Sequence, residues 1–140
     1  MTDVLFLDRD TVLFLHDTAL AEHGGLPGIR DEGLFRSALQ RPDDKAYYEP
    51  DATLAQLAAS LAFGLAKNHP FNDANKRTSL ASTDAFLILN GMTIVAAPTE
   101  KFEAWVSLAS DRISEAELAA WIAARLMPFA LDPGEARKAV

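Results

Sequence analysis

At 140 residues, 49% of them hydrophobic, the chain is long enough for one packed core and too short for two ordinary ones; this composition excludes a disordered polymer. Cysteine is absent, which excludes disulfides, thiolate zinc sites and a cysteine nucleophile, and a formal net charge of −7 argues against direct nucleic-acid binding. The apolar pieces of MTDVLFLDRDTVLFLHD are broken by Asp3, Asp8, Arg9 and Asp10, and nothing approaches ~18 uninterrupted apolar residues, so neither a signal peptide nor a membrane span is expected and a cytoplasmic location fits.

Val4 to Leu7 reads as a short strand or an extended arm. Asp8 or Asp10 caps a helix running to about His23, on the helical spacing of Leu13, Phe14, Asp17, Leu20 and Ala21. Gly24-Gly25 ends it, and Pro27-Gly28 turns the chain. Asp31 reads as the N-cap of a short helix with Leu34, Phe35, Ala38 and Leu39 on its apolar stripe, stopped by Pro42. The segment PDDKAYYEP, Pro42 to Pro50, then reads as a polar loop; its composition favours a surface connection over a flap beside a binding site.

Asp51 to Lys67 is expected as a long helix that buries Leu54, Leu57, Ala58, Leu61 and Leu65. A second long helix is expected from about Asp73 to Leu89, closed by Asn90-Gly91. Its later part, SLASTDAFLILN, is nearly all small or apolar, which marks it as the central helix. Thr93 to Val95 reads as a short strand. Pro98 opens a helix to about Ala109 that carries Phe102, Trp105, Val106 and Leu108. Ser114 to Glu117 forms a capping box for a last helix ending near Pro128, and the tail LDPGEARKAV is polar. The expected fold is mainly all-α: one compact domain over residues 1–128, about six helices around a buried central one, little sheet, and a polar tail over 129–140.

The stretch HPFNDANKR, His69 to Arg77, crowds polar chemistry between the two long helices. A helix N-terminus presents unpaired N–H groups and partial positive charge, which together make an anion site. Asn75, Lys76 and Arg77 add donors there, and two cations at that end oppose the helix dipole unless a polyanion sits among them. Asp73 is a hard oxygen ligand of the kind that holds Mg²⁺ beside phosphates, and His69 is the nearby group suited to proton transfer. These are the parts of phosphoryl transfer. Taken singly, Asp73 reads as an N-cap, Phe71 as a buried anchor, and Lys76 and Arg77 as a solvated face pairing with Asp73 or Asp84. His16 and His23, seven apart on the first helix, are weak evidence for a metal and receive no catalytic role.

HPFNDANKR, with the second stretch LHDTALAEHGGLPGIRDEGLFRSALQRP, resembles the Fic/Doc superfamily, and within it the Doc ("death on curing") toxins of Phd/Doc-type toxin–antitoxin modules. The resemblance runs roughly from residue 4 to 126. Adenylyl-transferring Fic proteins carry glycines either side of the asparagine and a second arginine three residues after the first; here those positions are Ala74, Lys76 and Leu80. The resemblance therefore implies a kinase that moves the γ-phosphate of ATP, with Mg²⁺, to a protein hydroxyl. His69 would be the general base, Asp73 a metal ligand or a residue ordering the phosphates, Asn75, Lys76 and Arg77 the phosphate clamps, and Phe71 a structural anchor.

The family's acceptor is a threonine of elongation factor Tu, whose modification stops translation. The implied partner is an antitoxin whose C-terminal segment folds as a helix in a groove near the site; Phe14, Leu34, Phe35 and the Tyr47-Tyr48 segment are candidates to line it, with plain core packing the favoured reading of each taken singly. TALAEH, Thr18 to His23, approaches the internal inhibitory pattern [S/T]xxxE[G/N] of some Fic proteins but ends in histidine, so control is expected in trans. The competing expectations are transfer of AMP to a protein hydroxyl, and a non-catalytic, antitoxin-binding regulatory module.

Overall fold

Asp8 sets the first helix: its side chain accepts the Thr11 N–H at 2.8 Å and opens α1, Arg9–His23. The computed structural model describes residues 3–129. Asp31 caps α2, Glu32–Tyr48, and Thr53 opens α3, Leu54–Lys67, with a reciprocal capping box to Gln56. Helix α4 spans Asn75–Leu89 and turns at Gly91, whose φ of 79° suits glycine. Strand β1, Met92–Ile94, leads to α5, Pro98–Ala109; then come α6, Glu115–Ala123, and strand β2, Leu126–Pro128. The two strands pair antiparallel, Thr93 opposite Met127. Among the described residues the fold is mainly helical, with this one small sheet. Among the described residues, no helix is long and apolar enough to cross a membrane.

Four expectations meet corrections. Pro42 does not stop α2, which continues through it to Tyr48, so PDDKAYYEP begins as helix rather than loop. A proline inside a helix forfeits a hydrogen bond and crowds the preceding turn, at about 3 kcal/mol. Tertiary contacts offset that cost: Pro42 is buried, and its neighbour Arg41 donates to the Ser60 carbonyl at 3.1 Å, pairs with Glu115 on α6 and lies over the Phe63 ring. The last helix ends at Ala123 rather than near Pro128, because Leu126 to Pro128 pair with β1 instead. The most enclosed helix is α3 rather than α4. It packs against α2, α4, α5 and α6, while α4 ends in the exposed Ile88 and Leu89. Asp73 does not cap α4; Ala74 occupies that place.

Val4 to Leu7 is an extended arm, held by a side chain in place of a partner strand. Leu5 N–H donates to Asn90 Oδ1, and Asn90 Nδ2 donates back to the Leu5 carbonyl, each at 2.8 Å. Close helix approach depends on small residues. A Cβ on Gly64 would stand 3.0 Å from Ala38 Cα and 2.7 Å from Arg41 Cδ, so glycine lets α2 lie on α3. Buried polar atoms tie the centre together: Trp105 Nε1 donates to Ser79 Oγ at 2.9 Å, and Ser79 donates to the Ala62 carbonyl at 2.8 Å. The tail, residues 130–140, lies outside the described residues.

Candidate active site

The chain leaves α3 at Lys67 and enters α4 at Asn75, and the site is the connection between them. Two residues here adopt positive φ without being glycine, His69 at 48° and Ala74 at 63°. Such conformations cost about 1–2 kcal/mol for an L-residue and persist only where neighbours over-determine them. The neighbours are residues 16 and 27–31. Arg30 Nε donates to the His69 carbonyl at 2.6 Å, and its Nη2 donates to the Asn68 carbonyl at 2.9 Å. Arg30 N–H donates to the Pro70 carbonyl at 2.7 Å, Asn72 N–H to the Gly28 carbonyl at 3.1 Å, and Asn72 Nδ2 to the Pro27 carbonyl at 2.9 Å. His16, buried at the core edge, donates from Nε2 to the Asp73 carbonyl at 3.0 Å and stacks on the Phe71 ring at 3.9 Å. Phe71 itself is 1% exposed and also meets Phe35 at 5.0 Å.

This frame gathers His69, Asp73, Asn75, Lys76 and Arg77 around one cleft of about 500 Å³, with Asn72, Ala74 and Phe102 completing its lining. Ala74 provides no side-chain cap, so the Asn75, Lys76 and Arg77 N–H groups at the head of α4 have no intrahelical acceptor. Asn75 is buried and brackets Phe71: its Oδ1 accepts the Phe71 N–H and its Nδ2 donates to the Phe71 carbonyl, both at 3.0 Å. That pair fixes which amide atom turns to His69. It is Nδ2, 3.4 Å from His69 Nδ1, a long contact in which the imidazole nitrogen accepts. The rest of the His69 ring is exposed to the cleft.

The charges stand apart. Asp73 pairs with neither Lys76 nor Arg77; its Oδ2 accepts the Leu26 N–H at 3.1 Å, and its Oδ1 faces its own Ala74 N–H at 3.3 Å. Asp84 is taken by Lys101 at 3.0 Å, and burial holds the Asp84 carboxyl above the ordinary carboxylate range against that cation's pull. Lys76 is exposed and has no hydrogen-bond or ion-pair partner among the described residues. Arg77 Nη1 donates to His23 Nε2 at 3.1 Å, and the guanidinium lies 4.8 Å from the Phe102 ring centroid. The two cations are therefore left uncompensated at the positive end of a helix, an arrangement that attracts an anion.

Among the described residues, no group of three or more acidic or histidine side chains could hold a metal ion by itself. His16 and His23 do not converge: the first faces Asp73 and the second Arg77. Of the residues expected to line a partner groove, Phe14, Tyr47 and Tyr48 are exposed and Leu34 is half-buried. Phe35 is fully buried against Phe71, so it belongs to the core and lines no groove.

Sequence reasoning did not find His16, Arg30, His23 or Phe102 as parts of this site. The first three lie in the second of the two family-like stretches, and that position was their signal.

One cleft of this helical domain thus gathers an uncapped helix N-terminus, two cations without a carboxylate partner and an exposed histidine. A Fic/DOC family model matches residues 6–87. The chain is 34% identical over 113 residues to the protein kinase doc of Escherichia phage P1, across 81% of this chain and 89% of that protein. It is 38% identical over 92 residues to the toxin Doc of Mycolicibacterium smegmatis, across 65% of this chain and 68% of that one. The chain belongs to the Fic/DOC family.

Proposed function

We propose that the chain is a Doc-like toxin of a toxin–antitoxin module, a protein kinase that moves the γ-phosphate of ATP to a serine or threonine hydroxyl of a translation factor. By resemblance the acceptor is elongation factor Tu, and the outcome is inhibited translation. The observation that carries the reading is the head of α4: N–H groups without acceptors, flanked by Lys76 and Arg77, with His69 exposed in the same cleft. The names of the relatives, a protein kinase and a toxin, support it.

In this reading the acceptor hydroxyl approaches His69, and the imidazole takes its proton as the new oxygen–phosphorus bond forms. The bond from the γ-phosphorus to its bridging oxygen breaks, and ADP departs with the negative charge. The α4 N–H groups, Lys76 and Arg77 meet the charge spread over the transferring phosphoryl group and its leaving oxygen. Asn75 holds the loop through Phe71 and places one amide N–H beside His69. The Asp73 carboxylate is exposed and unpaired with any cation, a hard oxygen donor that fits Mg²⁺ carried on the nucleotide. When bound, that ion supplies neutralisation of phosphate charge.

Lys76 extends a cation where adenylyl-transferring relatives have glycine, and Leu80 is apolar where they have arginine, which favours phosphate over AMP transfer. The partner in this reading is a Phd-like antitoxin whose C-terminal segment covers the site from outside, with exposed Phe14, Tyr47 and Tyr48 available to it.

The test is a pair of reactions with Mg²⁺ and a bacterial lysate, one with ATP labelled at the γ position and one at the α position. The expected result is γ label alone on one protein band, lost with His69→Ala. Transfer of α label would establish AMP transfer instead. No transfer of either label with authentic elongation factor Tu present would leave the non-catalytic module standing.

A further inference from the structure

Arg77 stands at a partition. With Phe102 it lines the cleft of about 500 Å³ and also a second cavity of about 250 Å³, whose walls include Glu22 and His23 at the end of α1 and Leu80 and Asp84 on α4. A long cationic side chain in such a place has two spaces open to it, and a clamp is useful only if it waits within reach of the anion. Freezing rotamer freedom of this kind opposes binding, so holding the guanidinium in advance lowers that cost.

Two neighbours hold it. Arg77 Nη1 donates to Nε2 of His23 at 3.1 Å, and the Phe102 ring lies 4.8 Å from the guanidinium carbon. His23 is itself fixed in place. It is the last residue of α1; Gly24, at φ 74°, closes the helix onto the Leu20 carbonyl at 2.7 Å, and two residues later Leu26 N–H binds Asp73 Oδ2. One turn thus grips both Asp73 and Arg77. Neither neighbour of the guanidinium is a carboxylate: Asp84 is engaged by Lys101, and Glu22 lies 3.7 Å from His23 Nε2 without pairing with Arg77. A carboxylate would hold Arg77 more strongly and cancel the charge that an anion needs. An imidazole lone pair and a ring face orient the guanidinium while leaving its charge and its remaining N–H donors for the ligand.

We infer that His23 is a positioning residue for Arg77, a neutral acceptor that holds the clamp at the wall of the phosphate cleft without neutralising it. The inference rests on the reading of Arg77 as a phosphate clamp.

The test is a double-mutant cycle on the full chain, with pyrophosphate binding by calorimetry as its main readout and γ-phosphate transfer beside it. His23→Leu removes the acceptor and is expected to weaken pyrophosphate binding about tenfold, whereas His23→Gln restores an acceptor and should stay within about threefold of the unmodified protein. His23→Asp should weaken binding more than His23→Leu, because the carboxylate competes with the anion. In an Arg77→Ala background His23→Leu and His23→Gln should have no further effect. Binding by His23→Leu as tight as that of the unmodified protein would overturn the inference. So would an equal loss in the Arg77→Ala background, or no pyrophosphate binding by the unmodified protein. If His23→Leu does not fold, His23→Asp against His23→Gln decides the same question. An intact binding cycle without any phosphate transfer would reject the kinase reading and leave the role of His23 standing.

Discussion

Helices α4 and α6 begin in opposite ways. At α6, Ser114 accepts the Glu117 N–H and Glu117 accepts the Ser114 N–H, each at 3.0 Å, and acidic residues occupy the first turn. That helix satisfies its own N-terminus and complements its own dipole. At α4 the cap position is an alanine in the left-handed region, the first turn carries no acid, and Lys76 and Arg77 add positive charge to a positive end. Each choice at α4 is unfavourable for the helix alone. In the proposed reading the α4 end is left open for the phosphate group, whereas the α6 end is closed by its own side chains.

Three changes bear on that comparison. The largest effect is expected at Arg77. Arg77→Ala should lower phosphate transfer by about 10²- to 10³-fold, as the loss of one donor to developing charge does, with the helical circular dichroism unchanged. A folded variant with near-normal turnover would remove Arg77 from the clamp. Ser114→Ala should act the other way round, costing about 1 kcal/mol in urea unfolding and leaving transfer intact; reduced transfer at full stability would mean that α6 has a share in the site. The smallest effect is expected at Ala74. With φ at 63°, Ala74→Gly relieves left-handed strain and should raise stability by up to about 1 kcal/mol, seen as a higher urea midpoint with unchanged slope. A lower midpoint would show that Ala74 packing outweighs its strain.

Local signals were legible in the sequence where the physics is local. Asp8, Asp31 and Ser114 cap helices within three residues of themselves, and Asn90-Gly91 turns the chain by its own conformational preference. The course of α2 through Pro42 was not legible, because a half-buried arginine reaching α3 and α6 offsets the proline. Leu126 to Pro128 is a short apolar run whose partner strand lies far back in the chain, and periodicity cannot tell such a run from the end of a helix. The site divides along the same line. His69 to Arg77 stood out because its polar side chains are contiguous. Its frame did not, since Arg30 and His16 act on backbone carbonyls 39 and 57 residues away, and carbonyls leave no mark in a sequence.

The stitching of residues 27–31 to 68–72 also bears on the order of events in a newly made chain. Helices α1 and α2 are synthesised before His69, yet the turn that shapes His69 and Ala74 exists only once segments 39 to 45 residues apart have met. Loop closure of that length precedes any return from the contacts it allows, so the helices form early and the cleft late. A chain that ends before α4 carries His69, Asp73 and the frame around them but lacks Lys76, Arg77 and the N–H groups of α4, so it holds only half of the proposed site.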